Sequence, residues 1–242
     1  MKKRVLITGA SRGIGRAIAK KLAAEGYDLV ITCRERQKEL LEVKSDCEAL
    51  GADVYMFMGD LSDAAVIEQL FAELDFAKIL PDILINNAGI AFVGLAQEME
   101  PEEWYRLMDT NLTAPFMLCR KMIPLLLAKG GGAIVNISSV WGVVGASCEA
   151  AYSAAKGGLN ALTKALAKEL APSGIPVNAI ACGAIDTEMN SHLSAEELAA
   201  LAEEIPAGRL GRPEEVAESV FALINSPAYL TGQIITLDGG WT

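Results

Sequence analysis

The chain has 242 residues, of which 52% are hydrophobic, and carries a formal net charge of −10. This length and hydrophobic content suit an α/β protein whose parallel strands are covered on both faces. The strong negative charge disfavours a broad nucleic-acid or anionic-membrane surface, although it leaves room for a local basic pocket. We therefore expect neither a nucleic-acid partner nor a membrane partner.

The amino terminus and the cysteines indicate the compartment. The apolar run after "MKKR" ends at Thr8, too early for a secretion signal, and no apolar segment approaches the roughly 20 residues of a spanning helix. Five cysteines, an odd number without a C-x-x-C pair, predict reduced thiols and a cytoplasmic protein. His192 is the only histidine and is expected on a helix surface, so we predict no metal site and no Ser-His-Asp triad.

Short β-rich runs alternate with amphipathic segments along the chain. The runs predict strands at 4–8, 28–33, 53–58, 82–87, 133–138, 175–181 and 233–238. The amphipathic segments predict helices near 13–25, 35–50, 63–77, 101–128, 150–171, 188–204 and 213–225. This alternation indicates a Rossmann-type, doubly wound α/β fold with a seven-stranded parallel sheet in a single domain, 1–242. In such a sheet, ligands bind beyond the carboxyl ends of the strands, where the strand order reverses.

The exit of the first predicted strand is a glycine-rich turn that reads "TGASRGIG". Gly9 can leave the strand with positive φ, Gly13 keeps a side chain out of a phosphate's path, and Gly15 lets the following helix pack closely. The free N–H groups and the dipole at that helix start would then face a pyrophosphate. Three glycines can also form a simple tight turn, but their place after the first strand favours a dinucleotide site.

The end of the second predicted strand bears on which dinucleotide binds. A carboxylate there would accept hydrogen bonds from the ribose hydroxyls and favour NAD, but the sequence reads "TCRER", with Cys33 and then Arg34. Arg12 lies inside the glycine turn itself. Two arginines suit the 2′-phosphate of NADPH, which we predict as the cofactor. The alternative is that Arg34 and Arg36 are solvated loop charges.

A second group of residues suggests proton chemistry. "YSAAK" places Tyr152 and Lys156 four residues apart on one helix face. The ammonium, together with an oxidised nicotinamide, would lower the tyrosine pKa from its usual value of about 10, although such a pair can equally be two surface neighbours. Ser139, at the end of the fifth predicted strand, could polarise a carbonyl. Asn111, within "MDTNLTAPF", could bend its helix and hold water.

Together these motifs resemble the short-chain dehydrogenase/reductase family over essentially all 242 residues. The resemblance rests on "TGASRGIG", "NNAG" at 86–89, Asn111, Ser139, "YSAAK" and the late stretch "YLTGQIITLDGG". It implies that Tyr152 donates the proton and that Ser139 orients the carbonyl. It also implies that Lys156 contacts the ribose and tunes the tyrosine pKa, and that Asn111 supports a water relay. The cofactor-binding residues expected from the motifs and the resemblance are Gly9, Ser11, Arg12, Gly13, Ile14, Gly15, Arg34, Asp60, Leu61, Asn87, Ala88, Gly89, Tyr152, Lys156, Ile185 and Thr187.

One position departs from that family. Its members usually have Pro-Gly after the sixth strand, whereas this chain reads "IACGAIDTEM", with Cys182 at the proline position. Loss of the proline should loosen the turn that leads to the expected nicotinamide contacts. Cys182 is interpreted as a small buried residue, and the alternative is a reactive thiol.

The substrate is inferred from a narrower resemblance, to the 3-oxoacyl-acyl-carrier-protein reductases. That resemblance implies NADPH-dependent reduction of a 3-oxoacyl thioester on an acidic carrier protein, a place in fatty acid biosynthesis, and a homotetramer built partly on the 101–128 and 150–171 helices. Gly130 and Ser173, however, stand where those reductases carry arginines for the carrier.

Two alternatives follow. "SSVWGVVGASCEAAY" resembles reductases that act on 5-aminopentanone-modified elongation factor P. Glu149 could then bind the ammonium of an amino-ketone, or it could simply complement the dipole of the helix at 150–171. A catalytically silent NADP(H)-binding regulator is the other alternative. It is disfavoured because the four expected catalytic residues are all present.

Overall fold

The computed structural model describes residues 2–191 and 193–242, so the expected helix-surface position of His192 lies outside the described residues. Seven parallel strands form one sheet in the order β3-β2-β1-β4-β5-β6-β7. The strands are β1 (Arg4–Ile7), β2 (Asp28–Cys33), β3 (Val54–Met58), β4 (Ile83–Asn86), β5 (Ala133–Ser139), β6 (Val177–Cys182) and β7 (Ile234–Leu237). The predicted doubly wound parallel sheet is confirmed, with strand ends shifted by no more than about two residues.

Helices cover both faces of this sheet. In the described chain they are α1 (Gly13–Ala24), α2 (Gln37–Ala49), α3 (Ala64–Phe76), α4 (Pro101–Met108), α5 (Ala114–Lys129), α6 (Trp141–Val144), α7 (Ala150–Leu170), α8 (Ala195–Glu204) and α9 (Pro213–Ile224). One apolar cluster packs α1, α2 and α9 on the sheet, and the other packs α3, α5 and α7 on the opposite face. Along β1, Val5 and Ile7 belong to the first cluster and Leu6 to the second, because successive strand residues point to opposite faces.

The helix predicted at 101–128 is present, but it is interrupted. A π-helical turn, Asp109–Thr113, joins α4 to α5. Asn111 is buried in this turn, where its Oδ1 accepts a hydrogen bond from the Ile90 N–H (2.9 Å) and its Nδ2 donates to the Ile90 carbonyl (2.8 Å). A π-turn carries one extra residue, and such turns are frequent at functional sites. The amide of Asn111 thereby ties the helix to the loop after β4.

Two further observations concern the helices. The helical segment predicted at 188–204 is divided into a 3₁₀ turn, Glu188–Asn190, and α8. No helix in the described part of the chain is both long enough and apolar enough to cross a membrane.

Candidate active site

A cavity of about 1440 Å³ opens at the carboxyl edge of the sheet. It lies where the strand order reverses, since β1 pairs with β2 on one side and with β4 on the other. Every residue that the sequence analysis expected at the cofactor, catalytic or substrate site lines this cavity, with one exception. The exception is Asn111, which does not line the cavity but hydrogen-bonds to the backbone of Ile90, a residue that does. Long-range folding therefore gathers residues from both halves of the chain into one site.

The glycine-rich turn adopts a conformation that requires its glycines. Gly9 has φ +67°, a left-handed value that favours glycine. A Cβ on Gly15 would collide with the Gly9 carbonyl oxygen and lie 2.5 Å from Nδ2 of Asn87. That same Nδ2 donates hydrogen bonds to the carbonyls of Thr8 (2.9 Å) and Gly9 (3.0 Å). The turn is thus held against the β4 exit loop, and the first N–H groups of α1 are placed at the cavity.

Three arginines line the end of the cavity beyond β1 and β2, and all three are ion-paired. Arg34 Nη1 lies 3.7 Å from a carboxylate oxygen of Asp60. Arg12 and Arg36 both contact Oε2 of Glu188, Arg36 at 3.0 Å. Arg34 and Arg36 are 36% and 42% exposed, so these ion pairs do not decide between a phosphate site and solvated loop charges. Their guanidinium groups are concentrated at one end of the site.

The expected catalytic side chains meet where β5 and α7 pack together. Lys156 is buried, and its Nζ donates a hydrogen bond to the Ile137 carbonyl (2.8 Å) while lying 5.7 Å from the centre of the Tyr152 ring. Ser139 accepts a hydrogen bond from the Trp141 N–H (3.2 Å), which fixes its hydroxyl at the end of β5. The surface-neighbour alternative for the tyrosine and lysine is wrong, because both side chains are buried at the cavity.

The expected lowering of the tyrosine pKa is not found in the protein alone. Burial raises the pKa of Tyr152, the nearby acidic groups Cys182 and Glu149 also raise it, and a hydrogen bond with Ser139 partly opposes the rise. Burial also lowers the pKa of Lys156 to about 8. The physical reason for both shifts is that a closed, apolar environment disfavours each charged form. The phenol therefore keeps its proton near neutral pH, as a proton donor must.

Cys182, which stands where the family usually has proline, is protonated near neutral pH. Cys182 is buried near Lys156, and burial raises the pKa of its thiol to about 12. A thiol with so high a pKa forms almost no thiolate near neutral pH, which favours the small buried residue over the reactive thiol.

Two tryptophans and Glu149 also line the cavity. The rings of Trp141 and Trp241 lie 4.9 Å apart at 59°, and Trp141 also packs on the cluster that contains Tyr152. Glu149 lies at the N-cap position of α7, one residue before the first turn in which it was expected. Its charge is close enough to raise the pKa of Tyr152. Trp141 and Glu149 therefore lie next to Tyr152 in this cavity.

Known proteins resemble this architecture closely. Residues 3–198 match the family described as short chain dehydrogenase. The chain belongs to this family. It is 39% identical over 244 residues to YmfI of Bacillus subtilis, an uncharacterized oxidoreductase, with 100% of this chain and 99% of the relative covered. It is 39% identical to the 3-oxoacyl-[acyl-carrier-protein] reductase FabG of Escherichia coli, with 97% and 95% covered.

A solved structure shares the fold of this short-chain dehydrogenase across nearly its whole length. It is a "putative gluconate dehydrogenase" from Agrobacterium tumefaciens with a TM-score of 0.93 and 37% identity, and 99% of this chain and 95% of that chain are covered. Membership of the short-chain dehydrogenase family makes the protein an oxidoreductase that acts on CH–OH and C=O groups with a nicotinamide dinucleotide.

Sequence reasoning missed two features of the dehydrogenase site. Glu188 was not assigned, although an acid directly after Thr187 in "IDTEM" could have marked it. The pairing of Trp141 with Trp241 had no local signal, because the two tryptophans lie at distant points of the chain. Both features depend on how the loops after β6 and β7 fold back over the cavity.

The buried lysine makes a testable prediction about stability. Lys156→Met should raise the free energy of unfolding at pH 7 by up to about 3 kcal/mol, because the native pKa of about 8 lies below the usual 10.5. Between these two pH values the unfolded chain binds more protons, so wild-type stability rises with pH and the advantage of the variant disappears. Urea unfolding of both proteins from pH 7 to 10.5 measures this difference. A stability difference that does not change with pH would contradict the assigned shift.

Proposed function

We propose that this protein is an NADPH-dependent ketone reductase whose substrate is a 3-oxoacyl thioester carried on an acyl carrier protein, in fatty acid biosynthesis. The observation that carries the proposal is the meeting of Ser139, Tyr152 and Lys156 in one cavity with the glycine-rich turn. The substrate class is supported by FabG relatives named as 3-oxoacyl-[acyl-carrier-protein] reductases, which are 39% identical to this chain.

The cavity fits a phosphorylated dinucleotide. The close packing of Gly15 on Gly9 holds the glycine-rich turn at the cavity, and the start of α1 offers N–H groups to phosphate oxygens. Thr32 Oγ1 is buried at the cavity and has no hydrogen-bond partner in the described chain, so it can bond to a ligand there. Arg12 and Arg34 support a preference for the 2′-phosphate, since charge-assisted contacts to phosphate favour arginine.

The other proposed cofactor contacts follow the family pattern. Asp60 and Leu61 would lie at the adenine, Asn87 and Lys156 at the ribose, and Ile185 and Thr187 at the nicotinamide. The remaining proposed contacts are Gly9, Ser11, Gly13, Ile14, Gly15, Ala88, Gly89 and Tyr152, all of which line the cavity.

The chain supplies the proton and the orientation of the substrate. NADPH, when bound, supplies the hydride. Tyr152 gives its phenolic proton to the carbonyl oxygen as the C=O bond becomes CH–OH, and Ser139 donates a hydrogen bond that polarises the same oxygen. The tyrosinate that remains is stabilised by the ammonium of Lys156, which the Ile137 carbonyl holds in place. Asn111 positions the loop at 87–90 and would support the water relay that returns a proton.

An amine-terminated ketone, such as 5-aminopentanone-modified elongation factor P, is a second candidate substrate. Glu149 lines the cavity near Tyr152 and could pair with an ammonium, and the faces of Trp141 and Trp241 can attract a cation. Gly130 and Ser173, which lack the side-chain charge expected for binding an acidic carrier, are both exposed. The silent-regulator alternative is disfavoured by the buried catalytic set.

We further propose one catalytic domain over 1–242 that acts in the cytoplasm as a homotetramer. Five free cysteines support a reducing compartment. Exposed Trp104, Tyr105 and Phe116 on α4 and α5 support an assembly surface, since exposed aromatic residues are typical of interfaces.

An assay of NADPH oxidation tests the proposed reaction. The wild-type protein should reduce acetoacetyl thioester, and kcat/KM should be at least about tenfold higher with NADPH than with NADH, because a charge-assisted phosphate contact contributes about 1.5–3 kcal/mol. A parallel assay with an amino-ketone ranks the two candidate substrates. Failure to oxidise NADPH with either ketone would overturn the reductase proposal. Equal kcat/KM values for the two cofactors would overturn only the preference for NADPH.

A further inference from the structure

Glu188 connects two loops that border the phosphate end of the cavity. Its Oε2 contacts Nη1 of Arg12 and lies 3.0 Å from Nη1 of Arg36. Arg12 directly precedes α1, Arg36 directly precedes α2, and Glu188 begins the 3₁₀ turn after β6. All three side chains line the cavity and are about half exposed. These three side chains therefore lie at the solvent-exposed edge of the cavity and not in the protein interior.

The carboxylate is charged under ordinary conditions. The hydrogen bond from Arg12, followed by the charges of Arg12 and Arg36, lowers the pKa of Glu188. A phosphate drawn to the same two arginines would approach this negative charge, and like charges at short range repel. Each guanidinium also has a limited set of donors in a fixed plane, and a carboxylate and a phosphate both prefer the same paired geometry. Glu188 and a phosphate therefore compete for one binding group.

We propose that Glu188 competes with the cofactor's 2′-phosphate for Arg12, one of the two arginines proposed to bind that phosphate, and for the neighbouring Arg36. Glu188 would thereby weaken binding of the phosphate and set the degree of preference for NADPH over NADH. This inference rests on the proposed use of NADPH. It assigns to Glu188 a role in cofactor specificity. The alternative is a purely structural role. In a structural role, Glu188 would hold the segment after β6 in place and would favour the binding of both cofactors equally.

The test compares dissociation constants of the two cofactors. Glu188→Gln keeps the size of the side chain and removes the charge. We expect the Kd for NADPH to fall about three- to fivefold, because an exposed ion pair contributes up to about 1 kcal/mol. The Kd for NADH should change by less than about twofold. Titration calorimetry of the purified full chain at one fixed ionic strength measures both constants.

The chain offers a matched control. Glu39 on α2 also lies near Arg36, at 3.6 Å, but it belongs to the helix that follows this arginine and does not reach across the cavity. Glu39→Gln removes the same charge and should leave both dissociation constants within about twofold of wild type. In an Arg12→Ala background, Glu188→Gln should give a smaller gain than in wild type, because one of the contested groups is already gone.

The outcomes separate this inference from the proposed cofactor preference. An NADPH-selective gain in Glu188→Gln supports competition, whatever the absolute ratio of the wild-type constants. Three results would overturn competition. Unchanged binding or an equal gain for both cofactors would indicate a contact without influence on cofactor choice, and weaker binding of either cofactor would indicate a structural role. If wild type binds NADH as tightly as NADPH, the proposed preference fails, and the selectivity of the change in Glu188→Gln still decides the role of Glu188.

Discussion

Replacing Tyr152 with phenylalanine is expected to lower kcat for ketone reduction by about 10²–10⁴-fold, the usual contribution of a general acid. The phenol is buried, and its raised pKa keeps the transferable proton in place near neutral pH. Phenylalanine fills nearly the same volume, so the Kd for NADPH should stay within about twofold of wild type. Steady-state kinetics with acetoacetyl thioester and a separate NADPH titration measure the two effects.

Tyr55→Phe is the matched control for this prediction. The Tyr55 hydroxyl donates to Glu73 (2.8 Å) on the β3–α3 side of the sheet, and neither residue lines the cavity. This variant loses the same atom and should keep its kcat within about twofold, although its stability should fall by about 1 kcal/mol. Ketone reduction by Tyr152→Phe within about threefold of wild type would show that another group donates the proton.

Glu149→Gln is expected to lower kcat/KM for an amino-ketone by about ten- to a hundredfold if this carboxylate binds the substrate ammonium. An ion pair shielded by the cavity contributes about 1.5–3 kcal/mol, whereas an exposed pair contributes at most about 1 kcal/mol. Each 1.4 kcal/mol is about a factor of ten in kcat/KM. A neutral ketone of the same length should be reduced by the variant nearly as well as by wild type.

Two comparisons isolate the substrate contact from the other effects of this charge. Glu149 also raises the pKa of Tyr152, so its neutralisation should shift the pH profile to lower pH for both ketones alike. Glu102→Gln removes an acid from the first turn of α4, away from the cavity, and should change neither substrate's kcat/KM. An equal loss for both ketones, or no loss for either, would leave Glu149 with only its role at the start of α7.

Local sequence patterns determined the layout of the site. Short apolar runs separated by amphipathic segments predicted the seven strands. A strand that is buried on both faces needs a continuous apolar run, whatever its neighbours in the sheet are. The glycine turn was equally local, since Gly9 needs a positive φ and Gly15 needs close contact within the same turn. The spacing of Tyr152 and Lys156 placed them on one helix face, which the structure shows at the cavity.

The tertiary structure decided the chemistry of these groups. The sequence predicted a lowered tyrosine pKa from the nearby ammonium, but the buried environment of Tyr152 raises it, and burial is a property of the assembled fold. The π-turn around Asn111 is stabilised by the backbone of Ile90, which comes from another loop. Glu188 reaches Arg12 across 176 positions of the chain. No local pattern encodes such contacts, because they exist only after the sheet has brought the loops at its carboxyl edge together.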